Sequence, residues 1–167
     1  MPKKTVKKFI PSFERISALK ALSLLGNRIY KQKNWYVNKS TISKAMFIGL
    51  FVAMIPIPFQ MVISAVLALL FGANLPLSIM LVWITNPITM PFFMAFEYWL
   101  GSLILNKEVL ELEFTIEWFD RYFDMVFISL YTGSLILSLS LGFLSYHLSI
   151  FFWRKKVRKN KKDKVYK

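Results

Sequence analysis

This chain of 167 residues is 56% hydrophobic, with 16 Phe, 7 Tyr, 5 Trp and a mean hydropathy of +0.47. That is more apolar and less charged than a soluble domain usually is. The absence of cysteine excludes disulfides, thiolate metal sites and cysteine catalysis, and a single histidine all but excludes a multi-histidine centre or a histidine relay.

The net charge of +13 is laid out in blocks: of 22 Lys and Arg residues, only Lys107 and Arg121 lie between Ala45 and Trp153. A nucleic-acid-binding protein gathers its cations on one folded face among aromatics. Here they cap long apolar runs, the pattern of cytoplasmic ends of membrane segments. The expected partners are therefore anionic lipid head groups at both basic tails, and no nucleic acid.

Residues 1–39 form a basic region expected on the cytoplasmic side. No apolar run follows the first lysines closely enough for a cleavable signal peptide. Within it, residues 12–36 can form a surface helix capped by Ser12.

Residues 40–105 hold two apolar blocks, each interrupted by prolines. The first reads Lys44–Ile55, then Pro56-Ile57-Pro58, then Phe59–Phe71. The second reads Leu75–Thr85, then Asn86 to Pro91 (NPITMP), then Phe92–Leu105. Pro56, Pro58, Pro87 and Pro91 remove amide donors and break the helices. Each piece is roughly 16 to 21 Å of helix, near half a bilayer. The blocks echo one another as a weak internal repeat of half-helix, proline pair with a polar amide, half-helix.

Residues 106–124 carry six acidic residues against Lys107 and Arg121, and read as an acidic loop or interfacial helix. Residues 125–153 contain no proline and end in Trp153 before Arg154-Lys155-Lys156, an aromatic anchor followed by positive charge. This is a plain transmembrane helix, and its Gly133, Ser134, Ser138 and Gly142 suit close helix contact. Residues 154–167 are a second basic cytoplasmic tail.

These charges set a parity condition. With both termini cytoplasmic and loop 106–124 outside, the last helix crosses once, so the two broken blocks together cross an odd number of times. One of them is then a re-entrant hairpin, and the Pro56–Pro58 break is the sharper candidate for its tip. A cytoplasmic loop 106–124 is the alternative. The expected fold is thus an all-α integral membrane protein of proline-broken helices, with at least one re-entrant hairpin beside full transmembrane helices.

Non-helical backbone at membrane depth must be buried in protein or line a wet cavity, so the breaks are the candidate binding sites. Gln60, Thr85, Asn86 and Thr89 lie beside them. Each can bind a ligand, and Thr85, Asn86 and Thr89 can also satisfy carbonyls that proline frees, for the two threonines at least as readily. Glu97 is the only carboxylate inside an apolar block, readable as a proton or cation site or as an interfacial residue beside Tyr98 and Trp99. His147 reads as packed or interfacial. No hydrolase, zinc or P-loop motif is present. The reading is a non-enzyme with no catalytic residues, metal or cofactor.

Ser40, Gly49–Phe51, Pro56–Gln60 (PIPFQ), Asn74–Leu77 (NLPL), Trp83–Pro91 (WITNPITMP) and Leu100–Gly101 occur in one order. Over residues 40 to 101 the chain resembles the bacterial domain-of-unknown-function family 2062 of small integral inner-membrane proteins. The resemblance implies an inner-membrane location and favours Gln60 and the Asn86-Pro87 pair, whereas Glu97 stands outside the pattern. Some similar proteins are joined to sugar-transferring domains, which implies an association with envelope glycan or lipid-carrier enzymes.

Two functions follow as expectations. One is transport or handling of an anionic or lipid-phosphate substrate of envelope metabolism, bound by Gln60, Asn86, Thr89 and Glu97. The other is a structural or partner-binding membrane protein without transport activity. The small size of one protomer's membrane core points to a homo-oligomer.

Overall fold

The computed structural model describes the backbone of residues 36–109 and 116–165, and side chains over 36–109 and 122–157. The expected surface helix over 12–36 lies, apart from Tyr36, outside the described residues, as do residues 110–115 of the acidic stretch. The described residues form five helices and no strand: α1 (Lys39–Ala53), α2 (Gln60–Phe71), α3 (Leu75–Val82), α4 (Met90–Ile104) and α5 (Ile116–Val165).

Local chemistry sets these bounds. Asn38 caps α1 by accepting from the Thr41 amide at 2.9 Å, and the Thr41 hydroxyl accepts in return from the Asn38 amide at 3.1 Å. The helix ends at Ala53 because Pro56 and Pro58 have no amide to continue it. α2 ends at Gly72, whose φ of 61° is the left-handed conformation glycine adopts without strain. Asn74 caps α3 through the Leu77 amide at 3.1 Å, with Pro76 in the first turn. Pro91 sits in the first turn of α4, so it helps start that helix rather than break one.

The two blocks fold differently despite their similar pattern. In the first, α1 and α2 form an antiparallel hairpin. Lys44 Nζ donates to the Phe71 carbonyl at 3.0 Å at the open end, and Gln60 Nε2 donates to the Ile55 carbonyl at 2.7 Å at the tip. The second block does not turn back. Asn74 bonds to Thr41 and Tyr36 at the start of α1, Gly49 packs on Ser78 and Leu81, and Thr85 reaches Ala53 at the end of α1. α4 then carries on past the hairpin tip.

α5 runs antiparallel to α1, α3 and α4. Ser149 donates to Ser43 at 2.7 Å, Gly142 faces Phe47, Tyr131 donates to the Pro56 carbonyl at 2.8 Å, and Gly133 lies against Glu97 and Gly101. The crossing of α4 on α5 is backbone to backbone: a Cβ on Gly101 or Gly133 would overlap the carbonyl of Ser129 or Glu97. Ser134 and Ser138 are also buried, so the small residues expected to suit close contact lie at contacts. α1, α2 and α3 share the apolar core, built on Ile42, Ala45, Ile48, Ala65, Ala68 and Leu75.

α5 contains a 36-residue stretch, Tyr122–Val157, long and apolar enough to cross a membrane. Its outer face exposes Phe127, Leu135, Leu139, Phe143, Leu148 and Phe152. The helix also outruns the segment 125–153 at both ends.

Candidate functional site

Both proline breaks come together around one cleft of about 390 Å³, lined among others by Ile57, Phe59, Gln60, Trp83, Thr85, Asn86 and Met90. This is within the size range of small-molecule pockets. Phe59 caps α2 in the left-handed conformation (φ 59°) with no side-chain hydrogen bond, which leaves the first turn of α2 without a side-chain cap.

The polar side chains at the breaks are largely spent on the backbone. The Gln60 amide nitrogen serves the Ile55 carbonyl at 2.7 Å and the Ala53 carbonyl at 3.5 Å. The Thr85 hydroxyl meets the same Ala53 carbonyl at 2.9 Å and the Val82 carbonyl at 3.1 Å. Ala53 is where α1 loses its i+4 donor, because the Ile57 amide turns to Ile55 instead. Asn86 Oδ1 accepts from the Ile88 and Thr89 amides, while Thr89 Oγ1 accepts from the Asn86 amide and bonds the Ile84 carbonyl at 2.7 Å. Asn86 and Thr89 thus close the turn into α4 between them.

Beside the cleft lies a small cavity of about 10 Å³. Ala53, Met54, Pro56, Gln60, Thr85, Met90, Phe93, Met94 and Glu97 line it. Gln60, Thr85 and Met90 belong to both spaces and form the partition between them. Glu97 is only 2% exposed. The structure therefore joins Gln60 with Glu97, and Gln60 with Asn86, but Glu97 does not line the cleft that Asn86 lines.

A third space was not legible from the sequence. A lateral groove of about 430 Å³ runs between α1, α2 and α5, walled by Phe47, Ile48, Phe51, Leu67, Phe71, Phe143 and Tyr146. Among the described residues its one charged lining side chain is Lys44, whose ammonium sits at the C-terminal carbonyl of α2. In the sequence Lys44 is one more cation of the basic end. Only the aromatic i, i+4 spacing of Phe47 and Phe51 beside it hints at a walled groove.

His147 is exposed on α5 with its ring edge-on to Tyr146. Among the described residues no group of three or more His, Cys, Asp or Glu side chains could hold a metal ion.

A family model described as "Uncharacterized protein conserved in bacteria (DUF2062)" matches residues 22–162. Neither a curated protein nor a solved structure matches the chain.

Proposed function

The chain belongs to that bacterial family, and from this premise we propose that it is a multi-pass protein of the bacterial inner membrane that binds an anionic lipid-phosphate substrate of envelope metabolism, to handle it or carry it across. One observation carries the reading. An apolar groove ends at a lone ammonium, and every described charged side chain at that end of the molecule (Lys39, Lys44, Arg154, Lys155, Lys156) is cationic. An acyl chain lies along the aromatic wall, and its phosphate meets Lys44 at the rim. Lys44 keeps two ammonium hydrogens beyond the one given to Phe71.

In this reading α1 and α2 form a re-entrant hairpin entered from the cytoplasmic side, α3 and α4 make one interrupted crossing, and α5 returns. Both termini are then cytoplasmic. The Lys44–Phe71 bond supports this, because it holds the two open ends of the hairpin at one level. Between the Ser43 contact at Ser149 and the Pro56 contact at Tyr131, α5 rises about 27 Å, close to the roughly 30 Å of hydrocarbon. The tip thus approaches the far face, deeper than the half-bilayer length of its separate pieces suggests.

Native mass spectrometry of the purified protein with phosphatidylglycerol or phosphatidylethanolamine tests the lipid site. Wild type should retain one phosphatidylglycerol per chain. Lys44→Met should lose about tenfold in affinity, the equivalent of one charge-assisted contact. Leu67→Trp, which fills the groove, should lose binding of both lipids. Equal retention by wild type and both variants refutes the site.

The structural or partner-binding reading is favoured by a different observation: Gln60, Asn86 and Thr89 already bond their own turns. On that reading the breaks only shape the bundle, the basic tails dock lipids or an envelope enzyme, and a second copy completes the core. Substitution at the breaks would then lower protein level without altering lipid retention.

A further inference from the structure

We infer that the small cavity at Glu97 is a binding site for a single positive charge, a proton or a sodium ion, set beside the cleft that joins the two helix breaks. This stands on the cavity alone and does not require a lipid in the groove.

The argument is a donor and acceptor account. Gln60 has its amide nitrogen at 2.7 Å from the Ile55 carbonyl, so that atom must be the donor, and Oε1 is left as an acceptor. The single hydrogen of the Thr85 hydroxyl is committed to the carbonyls of Ala53 and Val82, which leaves its lone pairs. The Glu97 carboxyl adds two acceptor oxygens. The remaining lining side chains are Ala53, Met54, Pro56, Met90, Phe93 and Met94, none of which offers a hydrogen. Among its described lining residues the cavity therefore presents acceptors and no free donor.

The helix ends add to this. Ala53 is the last residue of α1, and Thr85 lies just past the end of α3. Both are negative ends of helix dipoles, which favour a cation. Unwound carbonyls and half-helix C-termini that hold Na⁺ or H⁺ recur where transporter helices are broken.

Among the described residues no cation lines the cavity. α5 presents Gly133 to Glu97, and the hairpin presents Gln60 and Pro56. The Tyr131 phenol of α5 reaches the hairpin tip and donates to the Pro56 carbonyl. A volume of about 10 Å³ is near the lower limit for one water, enough for a proton on Glu97 or one desolvated ion.

The test is the thermal stability of the full-length protein in detergent. It is measured in sodium chloride against choline chloride at fixed pH, and then across pH at fixed salt, for wild type and Glu97→Gln. A ligand that binds only the folded state raises Tm by mass action. If the site takes sodium, wild type should gain about 3 °C in sodium and Glu97→Gln should gain nothing. If it takes a proton, sodium has no effect, and wild type should gain stability on acidification that Glu97→Gln lacks. If Glu97→Gln does not accumulate, Thr85→Ala should move the midpoint of the wild-type response to higher sodium or lower pH. The inference is overturned if the variants keep the same sodium and pH responses as wild type, the result expected of a cavity that holds only a water molecule.

Discussion

The carbonyl of Ala53 is the point where the two broken blocks hold each other. Ala53 is 2% exposed, its usual amide partner has turned away, and two side chains from different blocks reach its oxygen: Thr85 at 2.9 Å and Gln60 at 3.5 Å. Thr85→Val keeps the shape and removes the hydroxyl's bonds to Ala53 and to Val82, whose carbonyl retains the Thr85 amide at 3.2 Å. Gln60→Met removes the longer bond and the tip bond to Ile55, whose carbonyl retains the Ile57 amide at 2.8 Å. Each single substitution leaves Ala53 with one partner, so each should cost about 1 kcal/mol, the net worth of one hydrogen bond. The pair leaves a buried carbonyl with none, which adds a desolvation cost of about 1 to 3 kcal/mol. The double variant should therefore be worse than the sum of its parts by about 1 to 2 kcal/mol. For a chain of this length each kcal/mol is worth about 2 to 4 °C. The expectation is a fall of about 3 °C for each single variant and about 10 °C for the double, read as Tm of the purified protein in detergent. Additive losses, or no loss, would mean that Ala53 is served by some other donor and that the two blocks are not coupled there.

Other outcomes follow from the same geometry. Gly101→Val or Gly133→Val should prevent α4 from seating on α5 and abolish accumulation of folded protein, read by fluorescence size exclusion, because the crossing leaves no room for a Cβ. Ser129→Ala should leave Tm unchanged or slightly raised, since its buried hydroxyl has no partner among the described residues. Phe59→Gly should raise Tm by about 2 °C: Phe59 is 77% exposed, packs little, and holds a left-handed backbone that glycine adopts freely. Single cysteines at Ser40, Phe71 and Lys107, probed with a membrane-impermeant thiol reagent in intact cells, should label only at Lys107. Labelling at Phe71 but not at Lys107 would replace the re-entrant hairpin with a kinked full span.

Much of the helix content was readable from the residues. The proline pairs placed the ends of the four short helices to within about three residues, except the start of α1, which lies at Lys39 behind its Asn38 cap and not at Lys44. Composition gave the apolar outer face of α5. The roles of the break residues were not separable in sequence: Asn86 and Thr89 satisfy a turn, whereas Gln60 and Thr85 meet on one carbonyl 32 positions before Thr85. No local signal pairs them, since the bond exists only after α3 lies beside α1. Lys44 is the same case. Its charge was visible, but the groove it closes is assembled from three helices.

The sequence by itself determined where the helices of the two broken blocks are interrupted, because proline chemistry operates within four residues of a helix end. It also determined which surface must avoid water. Only the tertiary structure decided that one proline pair reverses the chain while the other lets it continue, although the two blocks read alike. The reason lies in partners distant in sequence. Lys44 at the end of α2 and Gln60 at the tip fold the first block back, and Gly49 admits α3 alongside α1. Gly101 and Gly133 then let α4 run on against α5. From this arrangement Glu97, isolated in the sequence, comes to stand behind both breaks.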